Sequence, residues 1–463
     1  DAAWRKAVTL KCGADPGTRS IVAAVSTMER AYRTLSGVAR RAAPLLARGD
    51  SKLARAVRAR RGAADQLIEW ARRGRDPDRP LLWAHAPSVG EGLQAHAVIE
   101  ALRARAPEVQ VVFTHFSPSA ERLAARMPAD FAGTLPWDVP DEAGRAVAAI
   151  RPDLLCFTKT ELWPVLARAA HERGAATALM AATLPDGSSR VRWPARAVLR
   201  PTLTALDLVA AVGEPDAERL VALGATAGAV RVTGDPGIDA AAERVLATDQ
   251  EAPYLRPFRS AICGSGRPTL VAGSTWPADE AVLVPACVEL RRAHPPLRVI
   301  LAPHEPEERG MRALEARLRA EGWRTARLAE IERGGAGDAD LVVVDRVGIL
   351  AELYTVGELA WVGGGFHAAG LHSVLEPAAA GLPLVFGPRH RNARAAGELL
   401  RRGAARVVEN AAGAAAAFGA WLADGAARAS AGSAALHYIQ SHRGAAARTA
   451  ALLAQRIDDP VAR

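Results

Sequence analysis

The sequence predicts an α/β protein of two halves, each a parallel sheet wound with helices. Three observations lead there. From Pro80 onward, short apolar runs alternate with helical stretches, the pattern of βαβ units. A chain of 463 residues is longer than one ordinary core requires. A strand-poor stretch at residues 238–267 interrupts the alternation, which then starts again.

In the first half, strands are expected at residues 81–84, 109–114, 154–157, 176–179 and 206–212, with a helix from Glu91 to Arg105 and another from Ser119. A turn-rich segment, Thr233-Gly234-Asp235-Pro236-Gly237, closes this series. Strands of the second half are expected at residues 269–273, 298–302, 341–344, 359–362 and 384–386, with Ala-rich helices between and a last helix from Ser433 to Gln455. The domain reading is therefore a basic N-terminal extension (1–79), a first Rossmann-like domain (80–237), a linker (238–267) and a second Rossmann-like domain (268–463). Two such halves imply a cleft, each presenting ligand groups beyond the carboxyl ends of its strands. Neither carries G-x-G-x-x-G after its first strand, which disfavours a dinucleotide oxidoreductase.

Charge is placed unevenly. Residues 1–80 hold 18 Lys+Arg against 8 Asp+Glu, a surplus of ten, so the net +9 of the chain leaves the remainder at −1. No basic stripe interleaved with aromatics marks the body, which argues against nucleic acid. A local basic arm fits an anionic membrane surface instead. No apolar run reaches the eighteen residues of a membrane span. Asp1 to Thr27 has no signal-peptide core and reads as a leading stretch before an alternative start at Met28. Tyr32, Leu35, Val38, Ala42, Leu45 and Leu46 fall on one helical stripe accompanied by Arg30, Arg33, Arg40, Arg41 and Arg48. This suits an interfacial helix or a basic helix packed on the body. The cysteines Cys12, Cys156, Cys263 and Cys287 are scattered without CxxC spacing, as in a reducing cytoplasm.

Candidate chemistry sits where strands end. Ser88-Val89-Gly90-Glu91 follows the first strand and opens a helix. S-x-x-E is a capping box, but a carboxylate there can also take a proton from an acceptor hydroxyl, with Gly90 leaving room for it. Gly363-Gly364-Gly365 ends a strand of the second half, and His372-Ser373-Val374-Leu375-Glu376 opens the next helix. A glycine turn and helix amides favour phosphate, and Glu376 can accept from ribose hydroxyls. Ser274, Thr275, Pro303 and His304 lie just past other strands, placed for phosphate or base edges or serving as ordinary turns. Asp338-Ala339-Asp340 precedes its strand and reads as a solvated loop rather than a metal site. No metal and no cofactor are expected.

Taken together these residues resemble the Kdo transferases, GT-B-fold enzymes that move 3-deoxy-D-manno-octulosonic acid (Kdo) from CMP-Kdo onto a lipid A precursor. The resemblance runs in order through Ser88-Val89-Gly90-Glu91, Ser117-Pro118-Ser119, Thr160-Glu161-Leu162-Trp163-Pro164, Ala272-Gly273-Ser274-Thr275, Phe386-Gly387-Pro388 and Asn392. It implies Glu91 as general base, with CMP on Pro303-His304, Val347-Gly348-Ile349 and Ser373-Val374-Leu375-Glu376. It further implies a peripheral enzyme of lipopolysaccharide biosynthesis at the cytoplasmic face of the inner membrane.

Departures from the family pattern fall on charge. Lys159 stands where a Glu assigned to transition-state stabilisation is usual, and Gly237 where a lysine is usual. Ala181-Ala182-Thr183-Leu184-Pro185 lacks an arginine, His304 replaces another, and His372-Ser373-Val374 replaces His-Asn-Pro. Lys159 is the only lysine beyond residue 80. It is expected to supply charge lost at Gly237, steadied by Glu161, or else to snorkel to solvent. These departures leave open a GT-B transferase or epimerase acting on another nucleotide sugar, and a catalytically silent membrane-associated binding protein.

Overall fold

The computed structural model describes residues 27–49, 51–260, 267–335 and 339–459. The leading stretch before Thr27, Cys12, Cys263, Asp338 and the Leu46 side chain lie outside the described residues. Two compact units emerge, residues 1–233 with 447–463, and residues 234–446. Each is built on a seven-stranded parallel sheet.

The first unit contains β1 (Leu81–His85), β2 (Gln110–His115), β3 (Phe131–Thr134), β4 (Leu154–Thr158), β5 (Ala176–Ala182), β6 (Leu208–Ala211) and β7 (Val230–Val232), in the order β3-β2-β1-β4-β5-β6-β7. The second contains β8 (Thr269–Thr275), β9 (Arg298–Pro303), β10 (Thr325–Arg327), β11 (Leu341–Val343), β12 (Leu359–Val362), β13 (Leu384–Phe386) and β14 (Ala405–Val407), in the order β10-β11-β9-β8-β12-β13-β14. Central strands are apolar runs buried on both faces, as helix-covered parallel sheets require: Leu81-Leu82-Trp83-Ala84-His85 and Leu154-Leu155-Cys156-Phe157-Thr158 are buried throughout. Trp83 and Trp361, both fully buried, anchor one core each. Truncating either to Ala would cost about 3–5 kcal/mol.

Four strands were not expected: β3, β7, β10 and β14. All four are sheet edges. Only one neighbour holds each of them, and sequences such as Val230-Arg231-Val232 and Ala405-Arg406-Val407 expose two of three residues. They carry no apolar run to read. The single C-terminal helix is also corrected. Gly425–His442 and Ala445–Asp458 are separate helices, broken where Gly444 adopts φ 90°. Residues read as a linker carry the helix Pro236–Leu246, whose Ile238, Ala241 and Ala242 join the core of the second unit.

In each sheet the chain order reverses beside the first strand, between β1 and β4 and between β8 and β12. Loops on either side of such a switch point diverge and leave a crevice at the carboxyl edge. Backbone strain gathers there. Lys159 (φ 59°) just past β4, Ala181 (φ 50°) in β5 and Ser274 (φ 54°) in β8 are non-glycine residues in the left-handed region. Each costs roughly 1–2 kcal/mol, which the surrounding sheet must offset.

The N-terminal helix Thr27–Leu46 answers the question its sequence left open. One side packs: Glu29 pairs with Arg168 and Arg33, Tyr32 Oη donates to Asp138 (2.8 Å), and Arg40 pairs with Glu142 (2.6 Å). The other side leaves Leu35 68%, Val38 55% and Leu45 67% exposed. The expected stripe is therefore split, with Tyr32 in the packed group. No described helix is long and apolar enough to cross a membrane.

Candidate active site

In the first unit, Ser88 is the N-cap residue of the helix Val89–Arg105 but makes no side-chain cap bond. Its hydroxyl donates to Glu91 Oε2 instead, so the expected capping box is not formed. Glu91 Oε1 accepts from Lys159 Nζ at 2.7 Å. Residues after β1 and β4 thus meet across the switch point. Burial drives the Glu91 pKa up, but the charge of Lys159 and hydrogen bonds from Lys159 and Ser88 outweigh it, leaving the carboxyl below its ordinary value. A Cβ on Gly90 would meet no atom within 4 Å, so packing does not require a glycine there.

Lys159 is paired with Glu91 and not, as expected, with Glu161. Arg190 holds Glu161, at 3.5 Å. The Glu161 pKa is raised, by burial first, with Arg190 opposing and Glu91 adding to the rise. Arg190 is a cation the sequence reading missed. It lies seven residues past Thr183, in the short 3-10 helix Ser189–Val191, which no strand or helix periodicity announces.

Trp163, in the Thr160–Pro164 motif, proves to be a brace. Its Nε1 donates to His85 Nε2 (3.1 Å), and His85 Nδ1 lies 3.2 Å from Thr114 Oγ1. Full burial lowers the His85 pKa to about 3, so the ring stays neutral and ties the ends of β1, β2 and β4 together. Asp138 caps the next helix, accepting from the backbone of Val165 and Leu166.

The second unit builds its switch point from rings. Beyond β8, Trp276 stacks on His367 (centroids 4.1 Å, 3° apart) and lies 4.7 Å from His304, which stacks on His372 at 4.3 Å. Trp276 Nε1 donates to His372 Nε2 at 2.9 Å. Burial, reinforced by His304 and His367, lowers the His372 pKa to about 4 and keeps it neutral near pH 7. Buried Asp279 fixes the glycine turn, accepting from the amides of Trp276, Gly364 and Phe366. A Cβ on Gly363 would lie 2.1 Å from the Ser274 carbonyl, and one on Gly273 2.0 Å from Tyr354 Oη. Both glycines are demanded by close approach.

The other expected donor-site residues divide. Thr275 is committed to Glu280, its Oγ1 donating at 3.0 Å. Asn392 is used up by the loop it holds, bonding both the amide and the carbonyl of Leu371. Ser373 Oγ accepts from the Leu375 amide, and Val374 is the N-cap residue of the helix Leu375–Ala379. Val347 is half exposed beside Gly348, which turns with φ 98° ahead of Ile349. Glu376 does not cap its helix. It is ion-paired with Arg244, whose Nη2 also donates to the Gly348 carbonyl at 3.3 Å. Arg244 joins two expected nucleotide segments and was missed, as were Trp276 and His367. Its only signal is spacing: Gly237 and Arg244 stand seven residues apart on one helix face.

Asp340 corrects the solvated-loop reading. It is buried and held by Arg267, Arg324 and Arg291 at the amino end of β11. Among the described residues, no group of three His, Cys, Asp or Glu is set to hold a metal ion.

Comparison with known proteins bears on the family and the fold. Residues 56–240 match the family model for 3-deoxy-D-manno-octulosonic-acid transferase. The 3-deoxy-D-manno-octulosonic acid transferase of Bordetella pertussis is 31% identical over 376 residues, covering 76% of this chain and 84% of that one. Two solved structures share the fold alone. A UDP-GlcNAc 2-epimerase from Neisseria meningitidis has TM-score 0.55 and 13% identity, covering 82% of this chain and 99% of that one. A glycosyltransferase from Rickettsia africae has TM-score 0.55 and 11% identity, with the same coverage of 82% and 99%.

Proposed function

This chain belongs to the 3-deoxy-D-manno-octulosonic acid transferase family, a glycosyltransferase of GT-B fold in lipopolysaccharide biosynthesis, and from that premise we propose that it transfers Kdo from CMP-Kdo to a lipid A precursor with inversion, Glu91 acting as general base. The observation that carries the proposal is the Ser88–Glu91–Lys159 cluster at the β1/β4 switch point, inside the family-matched segment.

Each group then has a task. Glu91 takes the proton from the acceptor hydroxyl as that oxygen attacks the anomeric carbon, while the bond from that carbon to the phosphate oxygen breaks and CMP leaves with its electron pair. Ser88 orients the carboxylate. In the resting protein Lys159 holds Glu91 ionised. When the sugar acid arrives, its carboxylate competes for the same ammonium, which frees Glu91 to accept a proton while Lys159 stays near developing negative charge. Glu161, with Arg190, lines the same edge of the sheet. In the second unit, the stacked rings supply flat surfaces for the cytosine or sugar ring. The backbone around Ser274, Pro303 and Gly348 approaches the phosphate, and Glu376 takes the ribose hydroxyls, held in place by Arg244.

The exposed side of the helix Thr27–Leu46, with Leu35, Val38 and Leu45 beside Arg41 and Arg48, suits docking on an anionic membrane. This supports a peripheral enzyme at the cytoplasmic face of the inner membrane.

The test is CMP release from CMP-Kdo with a lipid A precursor, comparing wild type with Glu91→Gln. Release by the wild type alone is the expected result. No release from CMP-Kdo, together with binding of another nucleotide sugar, would move the protein to a different donor.

A further inference from the structure

The glycine turn after β12 reads in the sequence as a phosphate cradle, but the fold spends its amides elsewhere. Gly363 donates to the Gly273 carbonyl (2.9 Å), Gly364 and Phe366 donate to Asp279, and His367 donates to the Gly364 carbonyl (3.0 Å). At the start of the next helix the Leu375 amide goes to Ser373 Oγ. Arg244 is paired with Glu376. An anion seated on this turn therefore needs other donors.

The histidine rings supply two. A ring nitrogen that accepts a hydrogen bond carries no proton, so in a neutral imidazole the proton sits on the other nitrogen. His367 Nδ1 accepts from the Ala369 amide at 3.1 Å, and an amide nitrogen only donates. His367 therefore bears its proton on Nε2. His372 Nε2 accepts from Trp276 Nε1 at 2.9 Å, and an indole nitrogen only donates. His372 therefore bears its proton on Nδ1. Neither of these N–H groups has an acceptor among the described residues.

Both half-buried rings are held in place as well as in tautomer. His367 lies flat on Trp276 (centroids 4.1 Å, 3° apart), and His372 stacks on His304 at 4.3 Å. Burial keeps His372 neutral, and a second proton on His367 would set N–H against N–H at Ala369. Fixed neutral donors meet an oxyanion without the cost of burying a cation. They also grip a departing phosphate less tightly than a full charge would.

We propose that His367 Nε2–H and His372 Nδ1–H, both uncharged, donate to the phosphate of the nucleoside monophosphate that leaves the donor, and that Trp276 is the positioning residue that sets the His372 tautomer. The proposal rests on the reading of the second unit as the CMP site.

The full chain, labelled with 15N at histidine, reports tautomers by NMR. A neutral ring gives one protonated and one bare nitrogen, an imidazolium two protonated ones; His367→Phe and His372→Phe identify the signals. At pH 7.5 His367 should be the Nε2–H form and His372 the Nδ1–H form, with and without CMP. Both N–H signals should move with CMP and not with cytidine, which lacks the phosphate. His367→Phe keeps a ring on Trp276 and removes the donor. It should weaken CMP about tenfold, the worth of a hydrogen bond to a charged group, and leave cytidine unchanged. His367→Gln, which retains a donor, should recover part of that loss. Trp276→Phe keeps a ring and removes the indole N–H, so the His372 signals should become a mixture of both tautomers. Reversed tautomers, an imidazolium in the CMP complex, or equal losses for CMP and cytidine would overturn the proposal and leave the CMP site standing. Wild type that binds neither ligand would overturn the donor-site reading, and this proposal with it.

Discussion

The β1/β4 switch point of the first unit holds an ion pair, Glu91 with Lys159, steadied by a serine hydroxyl. The β8/β12 switch point of the second holds Trp276 and three histidines, while its ions, Arg244 and Glu376, stand apart on two helices. The sheets beneath are alike, parallel and seven-stranded. The contrast teaches that topology fixes where a site forms, and loop chemistry fixes what it can do. Removing a proton needs a carboxylate whose charge is tuned by a neighbour. Holding a nucleotide needs flat rings, close backbone and a fixed acceptor for hydroxyls.

If that division of labour is right, the largest effect belongs to Glu91→Gln. Turnover should fall about 10²–10⁴-fold, with CMP affinity, measured by calorimetry, unchanged. A comparable loss of CMP affinity would break the division.

Lys159→Met comes next, with about a 100-fold loss of turnover if its charge serves the transition state. It also predicts a pH signature. Glu91 has a depressed folded pKa, so the ion pair contributes stability above the ordinary glutamate pKa, about 4.3, and loses it as pH falls through the folded value. Without Lys159, burial dominates. The acid limb of kcat/KM against pH should then move to higher pH, and an unmoved limb would mean that Lys159 does not tune the base.

Gly273→Ala forces a methyl to 2.0 Å from Tyr354 Oη. Overpacking of this kind costs about 1–3 kcal/mol, to be read by denaturant unfolding, with donor affinity falling alongside. Wild-type stability would show that the second site tolerates a shift of Tyr354.

The smallest effect is Arg244→Gln. Donor KM should rise about tenfold, or roughly 1.4 kcal/mol, with kcat nearly unchanged, and Arg244→Lys should restore part of it. A fall in kcat at unchanged KM would show that Arg244 acts on something other than the placement of Glu376.

How far the sequence carried is clear from particular residues. The ten central strands were legible because burial on both faces writes itself as an unbroken apolar run. The four edge strands were not, because one neighbour and solvent demand no such run. Glu91 and Glu376 stood out as candidates because they follow strands at helix starts. Their partners did not. Lys159 was assigned to Glu161, Arg190 carried no local pattern, and Arg244 offered only its helical spacing from Gly237.

By itself, then, the sequence determined the layered α/β architecture, the strand ends at which candidate site residues were placed, and the charge imbalance of the first 80 residues. These follow from periodicity and composition, which are local. Only tertiary structure decided that Ser88 abandons its cap for Glu91, that Lys159 meets Glu91 across the sheet, that Asn392 and Trp163 are braces, and that Arg60 is boxed by three aromatic rings. Each joins residues distant in the chain or chooses between bonds of similar strength. Such choices depend on which loops converge, a matter of topology rather than local sequence.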